Sequence, residues 1–202
     1  MNRDSQNRTS MLYMNRPAHN NGKQHRILGV DPGLRITGYA ILDTEGRKPV
    51  LCEGGVIRSQ ADLPLEQRIS EIYNGLQEVI HQFHPGVMAL EQLFSSPKHP
   101  RTAILMAHVR GAICLTAAQT AIPIIHYSPT RRKKLLTGNG RASKSQMQHA
   151  IKEQLGLDRT PKPADVADAI ALALCHYHCV GTAIPQNTVL ANLSPSSINA
   201  TP

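Results

Sequence analysis

Two periods of apolar residues organise the middle of the chain. From residue 27 to 57 the apolar positions come in short runs: Ile27-Leu-Gly-Val-Asp31, Ile36-Thr-Gly-Tyr-Ala-Ile-Leu42, and Val50 to Ile57. Runs of this length, bounded by Asp31-Pro-Gly33 and other turn formers, predict three strands, and their short connections make them antiparallel. Gly54-Gly55 interrupts the third run and predicts a bulge. The period then lengthens. Leu65, Ile69, Ile72, Leu76, Val79, Ile80 and Phe83 recur at helical spacing, which predicts a helix capped by Asp62 and stopped by His84-Pro85-Gly86. A strand is predicted at 87–91, then a loop with Pro97 and Pro100. A helix at about 101–120 follows, rich in small residues (Ala103, Ala107, Gly111, Ala118). Pro123 to Tyr127 is the last predicted strand, and helical segments follow at about 129–136, 143–155 and 164–179. Three antiparallel strands followed by helix–strand units predict an α/β fold, a mixed five-stranded sheet flanked by helices on both faces.

The two ends carry neither period. Residues 1–25 are polar and basic, and are predicted to be a disordered tail in which Met11 and Met14 offer internal starts. A mitochondrial presequence would need an apolar face beside the arginines, and none is present. Residues 181–202 hold no charged side chain and are rich in Ser, Thr, Asn and Pro, which predicts a second disordered tail. One domain, 26–180, lies between them. No apolar run approaches the ~18 residues of a membrane span. Cys52, Cys114, Cys175 and Cys179 fall inside predicted elements, as expected of reduced thiols in a cytoplasmic protein.

Charge narrows the class. With 22 Lys+Arg against 14 Asp+Glu, the formal net charge is +8, which favours a polyanionic partner, nucleic acid first and an anionic membrane second. Against this background four acids occupy structured positions. Asp31 and Glu91 end predicted strands, and Asp165 and Asp168 open the last helix. Each has a structural reading: an Asx turn for Asp31, a capping box and dipole complement for the helix pair. Glu91 is a poor turn former, and no such reading suits it. A carboxylate at the inner end of a buried strand is costly unless neutralised, and hard oxygen ligands suit Mg²⁺, with Mn²⁺ as a substitute. Four of them could hold two metals about 3.5–4 Å apart, one activating water and the other stabilising a leaving 3′ oxygen.

Other features are less specific. Arg131-Arg132-Lys133-Lys134 with Arg141 and Lys144 is the densest basic region, a solvated helix face or a phosphate-contacting surface. Phe94, one of two Phe in the chain, follows Glu91 closely, and either folds back onto the core or faces a ligand. Gly29 to Gly38 is a Gly-rich turn that would also fit an actin-like ATPase. Cys175-His-Tyr-His-Cys179 suggests zinc, but one helix cannot wrap four ligands around one ion, so core thiols are the better reading.

In combination, Ile27-Leu-Gly-Val-Asp31-Pro-Gly-Leu-Arg-Ile-Thr-Gly-Tyr39, Ala89-Leu-Glu91-Gln-Leu-Phe94, Lys144-Ser-Gln-Met-Gln-His149 and Ala164-Asp165-Val-Ala-Asp168-Ala-Ile-Ala-Leu-Ala resemble the RuvC-type Holliday junction resolvases of bacteria. The likeness runs from residue 27 to about 180. It implies an RNase H-like fold, a homodimer formed through the helix at about 101–120, and Mg²⁺-dependent symmetric nicking of four-way junction DNA with 5′-phosphate products. It also implies cooperation with the RuvA–RuvB branch-migration complex. The family's catalytic, metal-binding acids fall on Asp31, Glu91, Asp165 and Asp168. Its junction-wedging aromatic falls on Phe94, and its DNA-contacting lysines on Lys133 and Lys144. Pro97 and Pro100 depart from the family's pattern. The expected activity is that of a structure-selective endodeoxyribonuclease. The alternatives are a nuclease trimming structured RNA, an actin-like ATPase, for which a second phosphate-binding Gly-rich motif is missing, and a non-catalytic junction binder, which would not need all four acids.

Overall fold

The computed structural model describes residues 8–12, 25–92 and 100–181. Its strands are β1 (Arg8–Leu12), β2 (Arg26–Asp31), β3 (Ile36–Asp43), β4 (Val50–Arg58), β5 (Val87–Glu91) and β6 (Ile124–Tyr127). Its helices are α1 (Leu65–Phe83), α2 (Pro100–Gln119), α3 (Pro129–Thr137), α4 (Lys144–Leu155) and α5 (Ala164–Gly181). They form one sheet of order β1-β4-β3-β2-β5-β6. β2, β3 and β4 pair antiparallel, and β5 and β6 add in parallel beyond β2. The five predicted strands are β2 to β6.

β1 corrects the expectation of a wholly disordered N-terminal tail. It pairs antiparallel with β4, from Arg8 opposite Ile57 to Leu12 opposite Glu53. A sheet edge presents a row of unpaired N–H and C=O groups, and β1 pairs with that of β4. Five residues are too few for an alternation to stand out in a polar segment. The remainder of the two expected tails, residues 1–7, 13–24 and 182–202, lies outside the described residues.

Two local expectations are also corrected. Gly54 and Gly55 pair in regular register with Ala40 and Tyr39, and the bulge is at Cys52, between the Ile41–Glu53 and Leu42–Leu51 pairs. Asp62 does not cap α1; the N-cap is Pro64, with no side-chain cap bond. The residue before a proline is driven out of helical geometry, so the helix cannot begin ahead of Pro64. Farther on, Pro100 opens α2, a position where the missing N–H leaves no bond unmade. Ser143 and Gln146 form a capping box at the start of α4.

Alternation along the strands divides the core. Leu28, Val30, Tyr39, Ile41, Met88 and Leu90 face α1 and α2, while Ile27, Ala40, Leu42 and Ala89 face α5. Every residue of α5 from 169 to 175 is buried, because α3 and α4 cover its outer side. The helix meets the sheet backbone to backbone. A Cβ at Gly29 would lie 2.1 Å from the carbonyl oxygen of Ala169, and one at Gly38 would lie 2.1 Å from that of Asp165. None of the four cysteines is in a disulfide. Among the described residues no helix is long and apolar enough to cross a membrane.

Candidate active site

Period-two alternation places the first two acids. In β2, Ile27 and Gly29 face α5, so Asp31 does too; in β5, Ala89 faces α5, and so does Glu91. The strands are parallel neighbours, paired from Ile27–Val87 to Val30–Leu90, so the two acids end them one rung farther on. β2 is also where the chain order of the sheet reverses, with β3 on one side and β5 on the other. The carboxyl ends of strands at such a switch point are where open α/β sheets bind ligands. Asp165 and Asp168 belong to the first two turns of α5, whose start is held over β3 by the contact at Gly38. Asp165 is the second residue of that helix rather than its cap.

The acids crowd one another electrostatically. The pKa of Asp31 is pushed up to about 8, first by burial, then by the negative charges of Glu91 and Asp168, with Asp165 adding and Arg132 opposing. Glu91 is also raised, chiefly by burial. Asp168 adds to that rise, while Arg132 and a side-chain hydrogen bond with Asp31 oppose it. Among the described residues the buried Oε1 of Glu91 accepts no hydrogen bond. The nearest positive charge is Arg132 of α3, whose Nη2 lies 3.2 Å from Glu91 Oε1 and 3.4 Å from Asp168 Oδ1. Its Nη1 donates to the backbone carbonyl of Asp168 at 3.3 Å. Among the described residues no three His, Cys, Asp or Glu side chains already converge on a single ion position; a guanidinium stands between Glu91 and Asp168 instead.

The family described as crossover junction endodeoxyribonuclease RuvC matches residues 27–176, from β2 into the last turns of α5. The chain belongs to the RuvC family. It is 53% identical over 165 residues to the RuvC of Rhodopirellula baltica, covering 82% of this chain and 93% of that one. It is 42% identical to the RuvC of Desulforamulus reducens over 74% of this chain and 91% of the relative. The RuvC structure of Thermus thermophilus superposes with a TM-score of 0.72 at 30% identity, over 77% of this chain and 95% of the other. The same protein in complex with a Holliday junction substrate superposes with a TM-score of 0.73 at 29% identity, over 77% and 94% of the two chains.

Within this RuvC fold the basic residues separate into three environments. Lys133 and Lys144 line a cleft of about 330 Å³ together with Glu91, Asp168 and Arg132. Lys134 and Arg141 are exposed and outside that lining, as is Arg131, which stacks over the Tyr127 ring at 5.6 Å and approaches Cys179 Sγ at 3.5 Å. Arg132 is 8% exposed and faces the carboxylates from inside that cleft rather than lying on an open helix surface. One signal was available in the sequence. Leu136 lies one turn beyond Arg132, so any packing of Leu136 against α5 brings Arg132 to the same face. Phe94 lies outside the described residues. His176 and His178 bond to Tyr127 and Gln154, each at 2.8 Å, which accounts for both without zinc.

Proposed function

We propose that this crossover junction endodeoxyribonuclease cuts four-way junction DNA by symmetric hydrolysis of phosphodiester bonds, leaving 5′-phosphate ends, at the carboxylates Asp31, Glu91, Asp165 and Asp168. The observation that carries this reading is the meeting of four acids, from β2, β5 and α5, beside a cleft lined by Lys133 and Lys144. The donor set fits a hard divalent cation. It is all carboxylate oxygen, one buried oxygen accepts no hydrogen bond among the described residues, and burial with the neighbouring negative charges raises the pKa of Asp31, a crowding of acids that a bound cation would relieve. Mg²⁺, two per subunit and replaceable by Mn²⁺, is the expected occupant. When bound, the ions lower the pKa of the attacking water and neutralise charge on the leaving 3′ oxygen.

The chain's own residues supply the rest. Asp31 and Glu91 are fixed by strand ends, so their separation does not depend on a loop. Lys133 and Lys144 take backbone phosphates along the cleft, with Arg131, Lys134 and Arg141 contributing at its periphery. Phe94, three residues beyond Glu91, is read as the aromatic that enters the branch point, where stacking is already interrupted.

A junction with two-fold symmetry needs two matched nicks, which a homodimer supplies. The α2 helix offers the surface for it. Ile104 (59% exposed) and Leu115 (52%) lie on one stripe with the exposed Ala107, Gly111 and Ala118. The domain boundaries at 26–180, a cytoplasmic location and cooperation with RuvA–RuvB complete the proposal. The deciding assay incubates purified protein and Mg²⁺ with labelled four-way junction, linear duplex and RNA hairpin. Paired nicks in the junction alone are expected; preferential cutting of the hairpin would transfer the reading to structured RNA.

A further inference from the structure

We propose that Arg132 is a built-in counter-ion of the carboxylate cluster, which competes with the divalent cation for Glu91 and Asp168 and keeps the metal-free site closed. This rests on the metal reading above.

The guanidinium is where a cation belongs. It faces one oxygen of Glu91 and one of Asp168 from the same Nη2, at 3.2 and 3.4 Å. Its side chain is only 9% exposed. A buried positive charge at this depth requires the acids as much as the acids require it.

The hold is nevertheless loose. Charge-assisted N–H···O bonds in optimised pairs are about 2.7–2.9 Å long, and both ion pairs here exceed that range. The side-chain hydrogen bond to the Asp168 carbonyl is 3.3 Å long. Nε is buried without a hydrogen-bond partner among the described residues. A structural arginine would use its fork bidentately; this one spreads a single nitrogen across two carboxylates. It also lines the cleft beside Lys133 and Lys144. A phosphate entering there can take the planar fork bidentately, which neither carboxylate does here. Substrate would then draw Arg132 off the acids as the metal takes them, so metal and phosphodiester binding favour each other.

The test compares Mn²⁺ binding, by the loss of the free-ion electron paramagnetic resonance signal, for the full-length wild type and Arg132→Met after removal of metal. Thermal melting follows in EDTA and in saturating Mn²⁺. Arg132→Met is expected to bind Mn²⁺ about tenfold more tightly, as for loss of a competing charge coupled to the site. It should melt lower than wild type in EDTA, where the acids repel one another unopposed, and the gap should close with metal. Arg132→Gln removes the charge while leaving a polar amide on a shorter side chain, so it is expected to change affinity in the same direction even if the methionine variant folds poorly. Unchanged or weaker Mn²⁺ affinity in both variants would overturn the proposal and make Arg132 a plain structural tie. Absence of Mn²⁺ binding by wild type and variants alike would instead remove the metal reading on which the proposal rests.

Discussion

Arg110 of α2 donates a hydrogen bond from Nη1 to the backbone carbonyl of Glu91, the last residue of β5. Its Nη2 lies 2.7 Å from His126 Nδ1 on the neighbouring strand β6. The helix with the proposed dimer surface is thereby tied to the strand end that presents an acid. Burial first, and then the Arg110 charge, lower the pKa of His126, so the ring stays neutral and can accept from the arginine. Arg110→Met is expected to lower stability by about 1.5–3 kcal/mol, the range for hydrogen bonds to charged groups. Cleavage should fall further than stability predicts, because Glu91 loses its backbone tie. Melting and single-turnover cleavage measured side by side decide this; parallel losses would mean a role in packing alone.

Replacing Asp31, Glu91, Asp165 or Asp168 by the matching amide should abolish nicking while junction binding stays equal or tightens, since negative charge beside phosphates is removed. Gel-shift and cleavage assays on the same preparations read both. Near-normal cutting by Asp165→Asn would leave that residue only its place in the first turn of α5.

Asp31 also predicts how metal-free stability varies with pH. Its folded pKa, about 8, lies above the ordinary 3.8. Between those values the folded state holds a proton that the unfolded chain has released, so stability falls as pH rises through that window. Glu91, raised chiefly by burial, acts in the same sense. In EDTA, Asp31→Asn should therefore melt several degrees above wild type at pH 8 and close to it at pH 4. A pH-independent difference would show that the carboxyl is not held protonated.

Junction affinity should fall steeply with salt, at about −0.9 in log–log slope per phosphate contact. Lys133→Ala and Lys144→Ala should each flatten that slope by about one contact, and more than Arg131→Ala, Lys134→Ala or Arg141→Ala, because only the two lysines line the cleft. Equal effects across all five would move the DNA path out of the cleft.

Gly111 gives a clean probe of the α2 surface, since a Cβ there meets nothing within 4 Å. Gly111→Leu should leave the fold of one subunit intact and yield monomers by light scattering, with junction resolution lost. A variant that remains dimeric would place the interface elsewhere.

The strands and helices were legible because most of them obey one period. α1 shows its apolar stripe from Leu65 to Phe83, and the β2–β4 runs are bounded by turn formers. The four acids were legible because strand ends and a helix start bring them together whatever the loops do. What escaped depended on a partner. β1 has no pattern of its own and exists through the edge of β4. The bulge at Cys52 is set by the offset between two strands and not by the glycines nearby. Arg132 was placed with its basic neighbours because charge suggests a surface; only the packing of Leu136 decides which of four consecutive cations turns inward.

The glycine contacts under α5 also determine how this site can evolve. At Gly29 and Gly38 the helix rests on main chain, with carbonyl oxygens where a methyl group would be. Side-chain cores adjust to substitution by repacking, but here there is no side chain to repack. One added carbon would lift the helix as a rigid rod and carry Asp165 and Asp168 away from Asp31 and Glu91 together. Lineages of this chain can therefore exchange the apolar residues around the site with some freedom, whereas these two hydrogen atoms are fixed by the spacing the four carboxylates must keep.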